Sequence, residues 1–215
     1  MTDTRRLSGI YAVLPSGLEL DQLLQHADAA MQGGVRIIQL RDKDLGFKKS
    51  LQRARKIREL TRAYGARFIM NDSLQLAQDA DADGVHLGRD DMQSIASIRA
   101  DVGSALMIGA SCQGDAAFAR HVLNEGADYV SFGAIFPTES KQDTLPIGLE
   151  RLAKARQIFP ESNICAIGGI TLESIPAVRQ AGADCIALIG SLFKRGDITT
   201  RARTLVDTWN NARSV

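Results

Sequence analysis

Residues 129–144 read YVSFGAIFPTESKQDT, an apolar run that breaks into glycine, proline, hydroxyls and a lysine. Tyr129, Val130, Phe132, Ala134, Ile135 and Phe136 predict a strand buried on both faces, as in a parallel sheet. Thr138, Ser140 and Lys141 follow Pro137 at once, which puts three polar side chains in the loop past the strand's carboxyl end. Ligands bind at that end in open parallel sheets and closed barrels alike. Hydroxyls beside an ammonium offer donors and a compact positive charge, a set suited to phosphate.

Outward from this stretch, apolar runs with strand character recur at Ile10 to Leu14, Val35 to Leu40, Arg67 to Met70, Gly84 to Leu87, Leu106 to Gly109, Ile164 to Ile167 and Cys185 to Ile189. Between them, helical periodicity covers Leu20 to Met31, Phe47 to Tyr64, Leu74 to Ala80, Met92 to Val102, Ala116 to Asn124, Leu149 to Ile158, Leu172 to Ala181 and Ile198 to Ala212. With Tyr129 to Phe132 the strands number eight, and strict alternation with helices predicts a single-domain α/β fold, a (β/α)8 TIM barrel over residues 1–215. An internal echo sets the register: Ala-Asp leads into the fourth, sixth and eighth strands at Asp83, Asp128 and Asp184. Turns at the start of a strand lie on the barrel's amino-terminal face, so these aspartates read as structural.

The 26 Lys plus Arg nearly balance the 25 Asp plus Glu, which leaves no bulk field to hold nucleic acid or an anionic membrane. The start, MTDTRRLSG, has no apolar leader, no run has the length of a membrane span, and the chain is expected in the cytoplasm. Cys112, Cys165 and Cys185 lack zinc-ligand spacing, and the last two sit in apolar runs as core residues.

In a barrel, polar residues at strand carboxyl ends meet at one mouth however far apart they lie in sequence. The second strand ends in Gln39-Leu40-Arg41-Asp42-Lys43, whose alternation aims Gln39, Arg41 and Lys43 the same way. Two cations aimed into a barrel mouth call for an anionic ligand. The third strand ends in Asn71-Asp72, and the fourth runs through His86 to Asp90-Asp91; Asp72 and Asp91 could share a Mg2+ ion that also touches substrate phosphates. His86 reads either as a satisfied core histidine or as a site residue. The fifth strand ends in Ser111, and the last two run into Gly168-Gly169 and Ile189-Gly190-Ser191, where backbone N–H groups could approach a phosphate. His26, His121 and Trp209 lie in helical patterns as surface or packing residues, and Asp42 and Asp90 read as solvated neighbours of the working groups.

QLRDKD at Gln39, ND at Asn71, GVHLGRDDM at Gly84, FGAIFPTESK at Phe132, AIGGI at Ala166 and GADCIALIG at Gly182 resemble, in order, the motifs of the thiamine-phosphate synthase family. The resemblance covers nearly the whole chain. It implies a transferase of thiamine biosynthesis that couples 4-amino-5-hydroxymethyl-2-methylpyrimidine diphosphate to 4-methyl-5-(2-phosphoethyl)thiazole with Mg2+, giving thiamine phosphate and diphosphate. Carried over by position, Gln39 would contact the pyrimidine; Arg41, Lys43, Asn71, Ser111 and Lys141 its diphosphate; and Asp72 and Asp91 the metal. Thr138, Ser140, Gly169, Ile189, Gly190 and Ser191 would hold the thiazole phosphate. Arg41, Lys43, Lys141 and Ser111 would act on the leaving group. The chain departs from the family pattern at Gln113, where Ser-x-His is common, at Gly190-Ser191, and at Ser140, where Thr is frequent. A thiazole tautomerase on the same barrel would need neither the metal nor the diphosphate set, and a non-catalytic precursor binder would not need to keep both. Homo-oligomerisation is compatible with the sequence, and 142–146 is a candidate lid.

Overall fold

The structure is a computed structural model that describes residues 6–42, 45–89, 94–138, 145–194 and 196–212. Eight parallel strands close in sequence order: β1 (Gly9–Val13), β2 (Ile37–Leu40), β3 (Arg67–Asn71), β4 (Gly84–Leu87), β5 (Met107–Ser111), β6 (Tyr129–Phe132), β7 (Asn163–Ile167) and β8 (Cys185–Leu188). The helices are α1 (Leu20–Gln32), α2 (Phe47–Ala63), α3 (Leu74–Asp79), α4 (Ile95–Val102), α5 (Ala116–Asn124), α6 (Gly148–Ile158), α7 (Ile175–Gln180), α8 (Gly190–Phe193) and α9 (Ile198–Asn211). The expected (β/α)8 barrel is what forms. Among the described residues no helix is long and apolar enough to cross a membrane.

One apolar layer lies between sheet and helices, and a second fills the barrel interior with Tyr11, Ile37, Ile69, Met107, Tyr129 and Cys185. Strands buried on both sides therefore read as continuous apolar runs rather than alternating ones. Where element ends differ from the sequence expectation, local chemistry explains the shift. β6 stops at Phe132; Ala134, Ile135 and Phe136 lie past it, where Ile135 N and Phe136 N donate to Ile167 O (2.9 Å) and Gly168 O (3.0 Å). α7 starts at Ile175 rather than Leu172, because Ser174 Oγ and Thr171 exchange two hydrogen bonds in a turn and Pro176 opens the helix. The four-residue α8 continues an apolar strand and is too short to show a helical period. Of the α4 expectation, Met92 and Gln93 lie outside the described residues.

The echoed aspartates explain how the amino-terminal face is fastened. Asp83 N donates to Phe68 O (2.9 Å) while Asp83 Oδ2 accepts from Phe68 N (2.7 Å) and from Arg58 of α2 (2.7 Å). Asp128 repeats this with Ile108 and Arg99 of α4, and Asp184 with Ile164 and Arg156 of α6. Each clamp ties an odd strand, the next even strand and the helix two units back. Gly126 and Gly182, two residues before the aspartates, take φ of 104° and 98° to stop the preceding helices, and Asp81 does so at 52°. The quasi-equivalent position before β2 carries Arg36, which instead donates to Met31 O and Val35 O.

Asp128→Ala leaves Ile108 N and the Arg99 guanidinium facing a half-buried void. The expected loss is about 3 kcal/mol of unfolding free energy, the cost of orphaning one partner of a largely buried pair, to be read from urea denaturation midpoints.

Candidate active site

The mouth is built from strand ends that lock onto one another. Arg41 lies one residue past β2, half-buried; its Nη1 donates to Ser16 Oγ (3.4 Å), and Ser16 Oγ donates to Arg41 O (2.8 Å). Ser16 thus ties the loop after β1 to the second strand end, a role its position in a polar loop did not reveal. Asp42, expected to be solvated, is not: it is paired with Arg53 of α2 at 2.8 Å, with 5% of its side chain exposed. The alternation along β2 explains this, since Gln39 faces the interior and Asp42 falls on the helix side.

β3 ends in Asn71, which pairs in register with His86 of β4. Asp72 follows at φ 61°, a left-handed conformation that costs an L residue about 1 kcal/mol and that Asp tolerates better than most. Only Asp72 and Ser73 separate β3 from α3, and Ser73 caps that helix by accepting from Leu76 N (3.2 Å). The tight turn fixes the Asp72 carboxylate: Oδ1 accepts from Gly88 N (3.1 Å) and Oδ2 from Asn71 Nδ2. Asp91 lies outside the described residues, as do Lys43, Asp90, Ser140 and Lys141. Among the described residues there is no cluster of three or more His, Cys, Asp or Glu that could by itself hold a metal ion.

On the opposite side, the loops after β6, β7 and β8 touch one another. A Cβ at Gly169 would come within 2.4 Å of Pro137 O, and one at Gly168 within 2.5 Å of Ala134 Cβ. These glycines therefore serve loop-against-loop packing first, at φ of 65° and 99°. Thr138 is half-buried directly beyond Pro137. Ile189 caps α8, whose first residues are Gly190 and Ser191, so the N–H groups of a helix start come straight after β8. The Ser191 hydroxyl donates to Ile170 O and pins this loop to the seventh; its hydrogen is thereby directed away from any ligand in the mouth. Ser111 ends β5 half-buried, in register with buried Ser131. Gln113 is exposed at φ 56°.

Below the mouth runs a buried polar chain that the sequence did not announce. Gln39 Nε2 donates to Tyr11 Oη (2.7 Å), Tyr11 Oη lies 3.2 Å from Tyr129 Oη, and Tyr129 Oη lies 3.0 Å from His86 Nδ1. Both phenols are held well above the ordinary tyrosine range, chiefly because burial disfavours the phenolate. Burial likewise pushes the Cys112 thiol up to about 12 and Cys185 well above its usual value, so neither is a ready nucleophile. His26 and His121 sit on helix surfaces, and Trp209 is packed in the core.

The family model described as thiamine monophosphate synthase matches residues 10–192. The chain belongs to the thiamine monophosphate synthase family. Among its relatives, the thiamine-phosphate synthase of Chromobacterium violaceum is 43% identical over 208 residues, covering 97% of this chain and 99% of that one. That of Methylobacillus flagellatus is 40% identical, covering 95% and 96%. A solved structure of a thiamine phosphate pyrophosphorylase from Pyrococcus furiosus superposes with a TM-score of 0.87 at 30% identity, covering 98% and 99% of the two chains. The six segments that carry the resemblance all fall at or beside strand ends of the barrel, and the described parts of all six reach its carboxyl-terminal rim.

The raised phenols carry a sign that can be tested. Tyr64 is raised as well, through its hydrogen bond to Asp28, so all 3 tyrosines hold their protons more tightly in the folded chain. Their contribution to stability is whole below the unfolded value of about 10 and shrinks as pH rises past it. Tyrosinate absorbance of the native protein is expected to show Tyr64 ionising in the folded state and the buried Tyr11 and Tyr129 only together with alkaline unfolding, whereas in urea all should follow an ordinary phenol curve.

Proposed function

We propose that this chain is a thiamine-phosphate synthase that joins 4-amino-5-hydroxymethyl-2-methylpyrimidine diphosphate to 4-methyl-5-(2-phosphoethyl)thiazole, releasing diphosphate. The observation that carries the reading is the convergence of the family's motif segments on one mouth, with a Gln39–Arg41–Asn71–Asp72 side and a separate side of three interlocked loops after β6 to β8. Two anionic substrates need two such sides. The tautomerase alternative has no use for the first of them.

In this reading Gln39 contacts the pyrimidine, while Arg41, Lys43, Asn71, Ser111 and Lys141 bind the diphosphate. Thr138, Ser140, Gly169 and the backbone of Ile189, Gly190 and Ser191 hold the thiazole phosphate. The C–O bond to the pyrimidine methylene breaks with its electron pair leaving on diphosphate, the ring amino group stabilises the cation, and the thiazole nitrogen then forms the new C–N bond. Catalysis comes from alignment and from cations placed where negative charge grows, so no protein nucleophile is involved. The carboxylate of Asp72 suits Mg2+: its oxygens are hard donors, and Gly88 N and Asn71 Nδ2 orient them without adding positive charge. Asp72 and Asp91 would hold the ion, which when bound supplies charge against the diphosphate oxygens. The balanced overall charge and the small-molecule site leave no role for nucleic acid or membrane, and we place the enzyme in the cytoplasm.

With both substrates and Mg2+, stoichiometric diphosphate and thiamine phosphate are expected, and EDTA should stop release; chelator-resistant turnover would remove the metal from the reading. Arg41→Ala and Lys141→Ala should each lower kcat/KM by about 100-fold or more with the thermal midpoint nearly unchanged, as expected for lost charge at a leaving group. Asp72→Asn keeps a side chain that tolerates the left-handed backbone. It should therefore fold normally yet need far more Mg2+ for half-maximal rate.

A further inference from the structure

The buried chain Gln39–Tyr11–Tyr129–His86 crosses the barrel interior from β2 to β4 through two strands that do not neighbour each other. Gln39, Tyr11 and Tyr129 are 4%, 1% and 0% exposed, so every donor and acceptor in it must be met from within. With the amide nitrogen of Gln39 turned toward Tyr11, that requirement fixes the direction of the rest of the chain. Gln39 Nε2 can only donate, so Tyr11 Oη accepts from it and has one hydrogen left to place. The neighbouring acceptor is Tyr129 Oη; were the bond reversed, the Tyr11 hydrogen would be buried without a partner. Tyr129 in turn gives its hydrogen to His86 Nδ1, which therefore carries a lone pair, and the ring proton sits on Nε2.

The fold makes room for this chain at one place. A Cβ at Gly109 would stand 2.0 Å from the Tyr129 ring, so only glycine on β5 lets that ring pass across the strand to stack on His86, with centroids 5.5 Å apart. The position is paired in register with His86 on one side and Tyr129 on the other.

We infer that Tyr129 and Tyr11 are positioning residues: they hold the His86 ring with Nδ1 as acceptor and turn the Gln39 amide so that its carbonyl oxygen serves as acceptor for the amino group of the pyrimidine. The inference rests on the synthase reading of the mouth. A uniformly apolar interior would leave Gln39 free to flip and present N–H where the substrate also donates. Locked by the phenols, the amide discriminates an aminopyrimidine from a ring bearing a carbonyl at that carbon, because the latter would set two acceptors against each other.

The test pairs nitrogen-15 NMR of the histidine rings with steady-state kinetics. His86 signals are assigned by comparison with His26→Asn and His121→Asn. In the wild-type protein His86 is expected as Nε2–H alone; a wild-type Nδ1–H ring overturns the inference whatever the turnover. Tyr129→Phe should release the ring to a mixture of tautomers and raise KM for the pyrimidine diphosphate about tenfold, the ratio set by one net hydrogen bond. KM for the thiazole phosphate should stay within about twofold, since that reflects no lost bond. Tyr11→Phe cuts only the Gln39 end, so it should raise the same KM while His86 keeps its single tautomer. If Tyr129→Phe does not fold, this variant and the wild-type spectrum still decide. Unchanged pyrimidine KM in Tyr11→Phe overturns the role assigned to the phenols. Failure of the wild-type protein to turn over the substrates would sink the synthase reading instead and leave the tautomer result standing.

Discussion

The pairing of β8 with β1 is the constraint on which the rest depends. Gly9 to Ala12 lie in register with Cys185 to Leu188, and this last seam turns a linear run of βα units into a ring. Without it, residues as distant as Arg41 and Gly169 would share no mouth. Parallel strands need crossover helices, and the apolar layer beneath those helices supplies the main driving force for closure.

The two faces of the barrel divide the work. On the amino-terminal face, carboxylates meet guanidinium groups and backbone N–H groups in repeated clamps, and the polar groups there are mostly satisfied. On the carboxyl-terminal face, Arg41 is held by a serine hydroxyl rather than a carboxylate, and the Asp72 carboxylate is fixed by neutral donors. Carboxylate–guanidinium pairs thus fasten one end, while at the other a hydroxyl and neutral N–H groups orient Arg41 and Asp72. The burial of Asp42 against Arg53 marks the border, since adjacent residues on one strand end fall to opposite purposes.

The alternation of strand and helix was legible because each strand is buried on both faces and each helix on one. The carboxyl-terminal residues Gln39, Asn71 and Ser111 were legible from position alone, and the Asp83, Asp128 and Asp184 echo from its spacing. The interior phenol chain was not. Tyr11 and Tyr129 lie 118 residues apart on strands that never pair, and each by itself reads as apolar core. Gly109 is equally silent, because its meaning depends on a ring arriving from the next strand. At Gly190-Ser191 the sequence points to backbone N–H groups and leaves the hydroxyl open; in the structure that hydroxyl is bound to Ile170 O, and one residue of sequence carries no sign of which way it turns. The start of α7 was misplaced by a local serine–threonine turn that outweighs helical periodicity.

The clamps repeat at three of four equivalent places around the ring, and the exception is the seam where the two ends of the chain meet. There Arg36 caps its own preceding helix, and closure relies on Gly33, where a Cβ would stand 2.4 Å from Ala202 Cβ, to bring α1 against α9. In place of a clamp, the start of the chain is tied across to β7 and β8 by Leu7 and Asn163, which exchange two 2.9 Å hydrogen bonds, and by Arg6 beside Asp184 at 3.4 Å. At that joint the fit of α1 against α9 stands in for a clamp, so a side chain larger than hydrogen at Gly33 would loosen β1 and speed exchange of its amide hydrogens ahead of those on β4 or β6.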